Sequence, residues 1–256
     1  ITFYFEDVIS DVGIWRAFVA VHKEMYGKYL PFYDVDESRY YVDEINPEDI
    51  CFLIWMGVQQ YQKGTFINPE NPGLMQLADK LYTLLDKEFE NAPINTELVE
   101  KMYKPEWFED FYLLKDWCAQ FYRSAYLLQD EREWDHQDEV DEEFSKMLED
   151  DDVRDYAVVS YLAICSKIGP LALTVPEWAQ YILKNKGMDR EAELLAGMKC
   201  LPYNLYLLRG YDADVLIVES VDGIVYTIDR SSMDSLQDDI LEKHNGLVAS
   251  LAFYDS

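Results

Sequence analysis

Apolar residues recur every three or four positions through most of the first 200 residues, which is the spacing of amphipathic helices. Between residues 5 and 30 the spacing is continuous, so it predicts one first helix, with His22 on its apolar face. The stretch from Asn46 to Asp49 (NPED) predicts the start of the next helix. It joins a capping side chain to a proline at the first helical position and to acids that suit the helix dipole.

The most regular apolar pattern lies between residues 105 and 128, where apolar residues recur at alternating steps of four and three. It predicts a helix that begins at Pro105 and turns one stripe to the core. A second line of aromatic residues flanks this stripe, so the apolar face is broad enough for two neighbouring elements. The stripe consists of Trp107, Phe111, Leu114, Cys118, Phe121, Ala125 and Leu128.

After Pro202 the pattern changes to short runs of branched and aromatic residues. Runs at 203–209, 215–221 and 224–229 predict an antiparallel meander, with a tight turn at Asp222-Gly223. A helix over 233–243 and a final strand over 247–254 are expected to follow. The predicted fold class is therefore α+β, with a helical domain at 1–200 and a small antiparallel β-sheet subdomain at 201–256 packed on the helical region.

Charge changes the picture of possible partners, because the chain carries 50 acidic and only 22 basic residues, for a net charge of -28. Binding to nucleic acid phosphates depends on basic residues, and so does attraction to anionic membranes. We therefore expect no direct nucleic acid partner and no membrane partner. An aromatic content of 15% still allows most of the chain to bury a core.

The acid is concentrated in residues 130–155, where 14 acidic residues face 3 basic ones. This stretch, the acidic segment, also contains Trp134 and several aliphatic residues. The pattern predicts an acidic loop that leads into a solvated helix packed at one edge of the protein.

Known catalytic and cofactor motifs are absent from the sequence, including the glycine-rich nucleotide loops and the His-Glu-x-x-His frame. No Cys-x-x-Cys pair occurs, and the four cysteines are interpreted as small core residues in a reducing compartment. We predict no cofactor, leave the catalytic residues unknown, and expect a cytoplasmic protein. A removed signal peptide is also compatible with a chain that starts at Ile1.

A calcium loop is the metal site that the sequence comes nearest to. Asp34, Asp36 and Ser38 occupy the first, third and fifth positions of an EF-hand, but Arg39 and Ile45 stand at the sixth and twelfth. Those two positions need glycine and glutamate, so the motif fails. The acidic segment could gather a divalent cation, yet nothing in its sequence fixes a geometry, and we predict no metal site.

Two short stretches, 44–49 (EINPED) and 89–93 (FENAP), occur in a chain with a helical front and a strand-rich end. With this layout they resemble an uncharacterised bacterial family with no assigned activity. The resemblance implies a bacterial cytoplasmic protein. It carries no functional residues and no mechanism.

Concentrated charge beside aromatic side chains favours a non-enzymatic acidic protein that binds a basic protein partner. Two alternatives stay open. One is an enzyme with a carboxylate-based site at the junction of the helical region and the sheet, and the other is a structural domain of a longer protein. The pattern leaves the oligomeric state unknown. The residues expected to contact the partner are Trp134, Asp135, Asp138, Glu139, Asp141, Glu142 and Glu143.

Overall fold

The computed structural model describes residues 1–62, 64–128, 131–233, 242 and 245–254. The chain forms two compact units, Ile1–Gly197 and Met198–Ser256. The first unit is helical and the second contains an antiparallel sheet, which confirms the α+β class. The division of the protein into two domains at residue 200 stays a prediction.

Ten α-helices lie in the described part of the first unit, with short 3₁₀ helices at Pro105–Phe108 and Tyr126–Leu128. In chain order the α-helices are α1 Thr2–Ser10, α2 Ile14–Tyr26, α3 Pro47–Tyr61, α4 Pro72–Phe89, α5 Thr96–Met102, α6 Phe111–Ser124, α7 Glu131–Ser145, α8 Asp151–Ile164, α9 Val175–Asn185 and α10 Asp189–Gly197.

The single first helix predicted from residues 5–30 is wrong, because the chain turns between α1 and α2. Asp11 and Gly13 have positive φ angles of 52° and 98°. The carboxylate of Asp7 accepts hydrogen bonds from the backbone N–H groups of Gly13, Ile14 and Trp15. These are donors at the start of α2 that no helical carbonyl can satisfy. The apolar spacing continues across the turn, so periodicity alone does not detect it.

The predicted start of α3 after Asn46 is confirmed, although the predicted capping group differs. Asn95 caps α5 through a bond from the Leu98 N–H at 3.0 Å. Asn46 precedes α3 but its side chain makes no cap. The helix predicted from Pro105 begins later, at Phe111, because the Asp110 carboxylate caps α6.

The core of the first unit is aromatic where α2, α3 and α9 meet. Phe18 on α2 stacks on Phe52 of α3 with ring centroids 5.4 Å apart, and on Trp178 of α9 at 6.4 Å. Trp15 contacts Phe18 at 5.1 Å. These four rings bury a large apolar area, which makes them major contributors to the stability of the unit.

Other predicted core positions have mixed outcomes. His22 is buried and its Nδ1 lies 2.6 Å from the Lys28 carbonyl, which confirms a satisfied core histidine. Cys51 and Cys118 are buried free thiols. Cys165 and Cys200 are only half-buried. The stripe predicted on one helix between residues 105 and 128 is divided in the structure among α6 and the two 3₁₀ helices. It is half-buried at Trp107 and Phe111, and buried at Leu114, Cys118, Phe121, Ala125 and Leu128.

The second unit contains four antiparallel strands in the order β3-β2-β1-β4. The strands are β1 Met198–Tyr211, β2 Val215–Ser220, β3 Val225–Asp229 and β4 Gly246–Tyr254. The predicted meander and final strand are therefore confirmed. Tyr206, Val218 and Ala249 form a small core on one face of the sheet.

The helix predicted over 233–243 falls almost wholly outside the described residues. Among the helices that the structure describes, none combines the length and the apolar character needed to cross a bilayer.

Candidate functional site

Helix α7 carries most of the acidic segment, so the prediction of an acidic loop at its start is wrong. Val140 and Phe144, four residues apart, are buried on one face of α7, and the Phe144 ring meets Tyr161 of α8 at 5.7 Å. Lys146 pairs with Glu143 at 2.6 Å and with Glu142 at 4.0 Å. Apolar packing and ion pairs at helical spacing together stabilise a helix that charge repulsion opposes.

A groove of about 450 Å³ lies along α7, with α6 and α8 contributing its other walls. We name it the acidic groove. Its walls carry more carboxylates than basic groups, and its potential is therefore negative. The charged lining residues are Glu133, Asp138, Asp141, Asp155 and Arg123, and Trp134 stands beside them.

The seven residues predicted to contact a partner fall on different sides of α7. Trp134, Asp138 and Asp141 line the acidic groove, because steps of four and three keep residues on one face of a helix. Trp134 is 60% exposed, which is unusual for the largest apolar side chain. The remaining four do not line this groove; they are Asp135, Glu139, Glu142 and Glu143.

Several of these carboxylates already have basic neighbours. Asp141 accepts a bond from Arg154 Nε at 2.9 Å, and Arg154 also contacts Asp151 at 2.7 Å. Glu139 lies 3.9 Å from His136, whose Nε2 is 2.6 Å from Ser166 Oγ. The sequence grouped all seven as equivalent, whereas the structure separates them by face and by partner.

A second depression, of about 580 Å³, lies near α3 and receives Asp135 from α7. Phe32 and Trp55 line this depression and form an aromatic cluster with Phe66, with ring centroids 4.7 to 6.0 Å apart. Phe32 and Phe66 are largely exposed. No local pattern in the sequence predicts this cluster, since its members come from separate loops and a helix.

An apolar cleft of about 250 Å³ lies among α1, α5 and α6. Its walls are mainly apolar, from Val12, Leu98, Met102, Trp117 and Phe121. The polar residues that line it include Asp7 and Tyr126.

Asp7 is only 4% exposed, and both of its oxygens accept hydrogen bonds. Oδ1 accepts from Gly13 N at 2.7 Å and from Ile14 N at 3.1 Å, and Oδ2 accepts from Trp15 N at 2.7 Å and from Tyr126 Oη at 3.0 Å. Burial raises the pKa of Asp7 and these bonds oppose the rise. Burial and the nearby Asp7 raise the pKa of Tyr126, so the phenol keeps its proton.

A second buried carboxylate, Asp49, lies at the start of α3 and is fully buried. Its Oδ2 accepts from Tyr4 Oη at 2.7 Å, Trp15 Nε1 at 2.9 Å and Asn46 Nδ2 at 3.1 Å. Its Oδ1 accepts from Tyr40 Oη at 2.7 Å. Burial raises the pKa of Asp49 to about 7, against the opposing effect of these donors. Trp15 connects the two carboxylates, since its backbone N–H binds Asp7 and its indole N–H binds Asp49.

Sequence reasoning missed both Asp7 and Asp49. Asp49 was assigned to the helix dipole, and nothing distinguishes it by type from the other acids of a very acidic chain. Among the described residues, no group of three or more His, Cys, Asp or Glu side chains is arranged to hold a metal ion.

Residues 1–195 match the model of a family described as a protein of unknown function (DUF3843). The chain belongs to this family. The resemblance to an uncharacterised family, drawn from the sequence, is therefore confirmed. The matched residues of the DUF3843 family include the acidic groove, the apolar cleft and both buried carboxylates. No curated protein and no solved structure matches the chain.

Proposed function

We propose that this chain is a non-enzymatic acidic binding protein whose acidic groove receives a basic segment of a partner protein. One observation carries the proposal: an exposed indole, Trp134, stands beside Asp138 in a groove with four carboxylates and one guanidinium. Such a pairing supplies an apolar anchor and charge at the same place.

Trp134 supplies the local anchor. Indole is the best aromatic partner for a guanidinium or ammonium group, and such contacts contribute about 0.5–2 kcal/mol, depending on how far they are desolvated. An arginine side chain can lie on the indole face while its guanidinium reaches Asp138 one helical turn away. Tryptophan and arginine are also the residue types that dominate binding energy at protein interfaces.

Charge supplies steering and selectivity. Asp138 and Asp155 line the groove and are exposed, so a basic segment can reach them without a large cost of desolvation. The net charge of the whole chain, -28, attracts basic proteins over a distance that shortens as salt increases. If long-range attraction alone acted, every acidic residue would contribute equally to binding. Binding in the groove instead makes Asp138 and Asp155 the largest contributors among the acids.

The other expectations from the sequence stay predictions. A carboxylate-based enzyme and a structural domain of a longer protein have no specific observation that favours them over binding. A bacterial source and a cytoplasmic location are also proposed on the sequence alone.

The test is a fluorescence anisotropy titration of a labelled nine-residue arginine peptide with four forms of the protein. Asp138→Asn/Asp155→Asn removes two charges from the groove. Glu139→Gln/Glu142→Gln is its matched control, because it removes two exposed charges of α7 that lie outside the groove. Trp134→Ala removes the anchor.

We expect the groove double variant to weaken binding about tenfold and the control about threefold, since two exposed ion pairs contribute about 1–2 kcal/mol together. Trp134→Ala should weaken binding by about fivefold to tenfold. Equal losses in the two double variants, with no loss in Trp134→Ala, would show that only net charge attracts the peptide and would refute the groove.

A further inference from the structure

The apolar cleft among α1, α5 and α6 is separate from the acidic groove. It lies on the opposite part of α6: the cleft uses Trp117 and Phe121, whereas the groove uses Tyr122 and Arg123. Its volume of about 250 Å³ is slightly below the usual range of about 300–1,000 Å³ for ligand pockets. A ligand that fills it is therefore smaller than a typical drug molecule.

The walls select an apolar body. Val12, Trp117 and Phe121 are buried side chains whose apolar surfaces face the cleft. Displacing water from such surfaces is favourable, and each methylene group that enters strengthens binding about fourfold. Two aromatic walls also suit a ligand that contains an aromatic ring.

The polar end of the cleft selects the head group. The four hydrogen bonds to Asp7 use its acceptor positions, so Asp7 acts on a ligand through charge. Tyr126 Oη donates a hydrogen bond to Asp7, so the phenol oxygen keeps a free lone pair that can accept a bond from a ligand, and Tyr126 lines the cleft. Glu6 also lines the cleft and is half-buried, whereas the basic group there, Lys101, is exposed. Buried negative charge beside an acceptor oxygen favours a cationic donor and disfavours a carboxylate.

We propose that this cleft binds a small apolar primary amine, with its ammonium group donating to Tyr126 Oη and its apolar body between Trp117 and Phe121. The bond from Tyr126 to Asp7 polarises the phenol oxygen and strengthens it as an acceptor for the ligand. The site is independent of the proposed binding of a basic protein segment.

The test uses three probes that share one ring: 2-phenylethylamine, 3-phenylpropanoate and toluene. Calorimetric titration of the wild-type protein should show the amine binding at least tenfold more tightly than the carboxylate. Tyr126→Phe should weaken amine binding about tenfold and change toluene binding by less than twofold, because only the head group loses a partner.

Ser124→Trp places bulk at the mouth of the cleft, on an exposed residue at the end of α6. It should weaken all three probes at least tenfold. Asp116→Trp is its control, since Asp116 is exposed on the same helix and does not line the cleft. Toluene binding should be unchanged in this control. Circular dichroism checks that each variant is folded.

Three results would overturn the proposal. Failure of the wild-type protein to bind both toluene and the amine at millimolar concentration means that the cleft is not a ligand site. Probe binding that survives Ser124→Trp means that the probes bind elsewhere. Equal affinities for the amine and the carboxylate mean that the head-group assignment is wrong.

Discussion

Replacing Asp49 by Asn should remove a large part of the pH dependence of folding stability. Two opposing effects act on this fully buried carboxyl: burial disfavours its charge, and four donors favour it. A folded-state pKa of about 7 means that burial prevails. The folded protein therefore holds a proton at pH 5 that the unfolded chain, with an ordinary pKa near 4, has mostly released.

The direction follows from this difference in bound protons. Because the folded-state pKa is raised, stability from Asp49 is fully present below about pH 4 and is lost as pH rises through about 7. The folded-state and unfolded-state pKa values differ by about three units, and one unit corresponds to about 1.4 kcal/mol of stability. The full change in the free energy of unfolding from Asp49 is therefore about 4 kcal/mol. Between pH 5 and pH 8 the wild-type protein should lose about 3 kcal/mol relative to Asp49→Asn.

Asparagine suits the site because its amide oxygen can accept the bonds from Tyr4, Trp15 and Asn46 while its amide N–H donates to Tyr40 Oη.

The assay is urea unfolding of the wild-type protein and Asp49→Asn at four pH values from 5 to 8. The difference between their free energies of unfolding is compared at each pH, so that the contributions of other titrating groups cancel. Glu48→Gln, in the same helical turn, should follow the wild-type pH profile. Equal losses in wild type and Asp49→Asn would refute a protonated Asp49. If the wild-type protein instead became more stable relative to Asp49→Asn as pH rises, the four hydrogen-bond donors would outweigh burial in setting the pKa of Asp49.

Three further changes test the packing around the sites, each by urea unfolding at fixed pH. Asp7→Ala should lower the free energy of unfolding by about 3 kcal/mol, because three backbone N–H groups and Tyr126 lose a buried acceptor; a loss below 1 kcal/mol would mean that water replaces it. Phe18→Ala should cost about 4 kcal/mol through the cavity it leaves, and a cost under 2 kcal/mol would indicate that the aromatic core collapses. Gly169→Ala should cost about 2 kcal/mol, because Gly169 has φ of +68° and an added Cβ would lie 2.6 Å from Leu128 Cδ2; an unchanged stability would contradict that geometry.

The elements that the sequence predicted well are those with local signals. The start of α3 was predicted because Pro47 at its first position and the acids that follow favour a helix start whatever the rest of the chain does. Asp222-Gly223 located the hairpin between β2 and β3, and Gly223 has a φ of +81°. The loop is longer than the predicted two residues, because Gly223 N–H donates to the Ser220 carbonyl and Ser220 N–H donates to the Ile224 carbonyl. The burial of the stripe between residues 105 and 128 was predicted because steps of three and four are a local signal of helical structure, whereas the division into α6 and two 3₁₀ helices was not predicted.

The turn between α1 and α2 was not predicted, and the helix expected in the acidic segment begins earlier than predicted, where a loop was expected. The first depends on a carboxylate, Asp7, that bonds to residues six to eight positions later. The second depends on the packing of Val140 and Phe144, which lie among acids that indicate solvent exposure. Tertiary contacts of this kind override the secondary-structure preference of a short segment.

The candidate site was predicted in part. The sequence located Trp134 and its acidic neighbours on one segment, but it could not divide them between the groove and the outer surface. The buried carboxylates escaped because their donors are distant in sequence: Tyr4 lies 45 residues from Asp49, and Tyr126 lies 119 residues from Asp7. A single sequence gives no sign of pairings over such separations.

The location of a bound basic segment is the central claim, and the fluorescence of Trp134 tests it most directly. Because this indole is 60% exposed, contact with an arginine peptide should shift its emission to shorter wavelength. At saturating peptide we predict this shift in the wild-type protein and its loss in Trp134→Phe. A shift that persists in Trp134→Phe, or no shift at saturation in the wild-type protein, would contradict binding in the acidic groove.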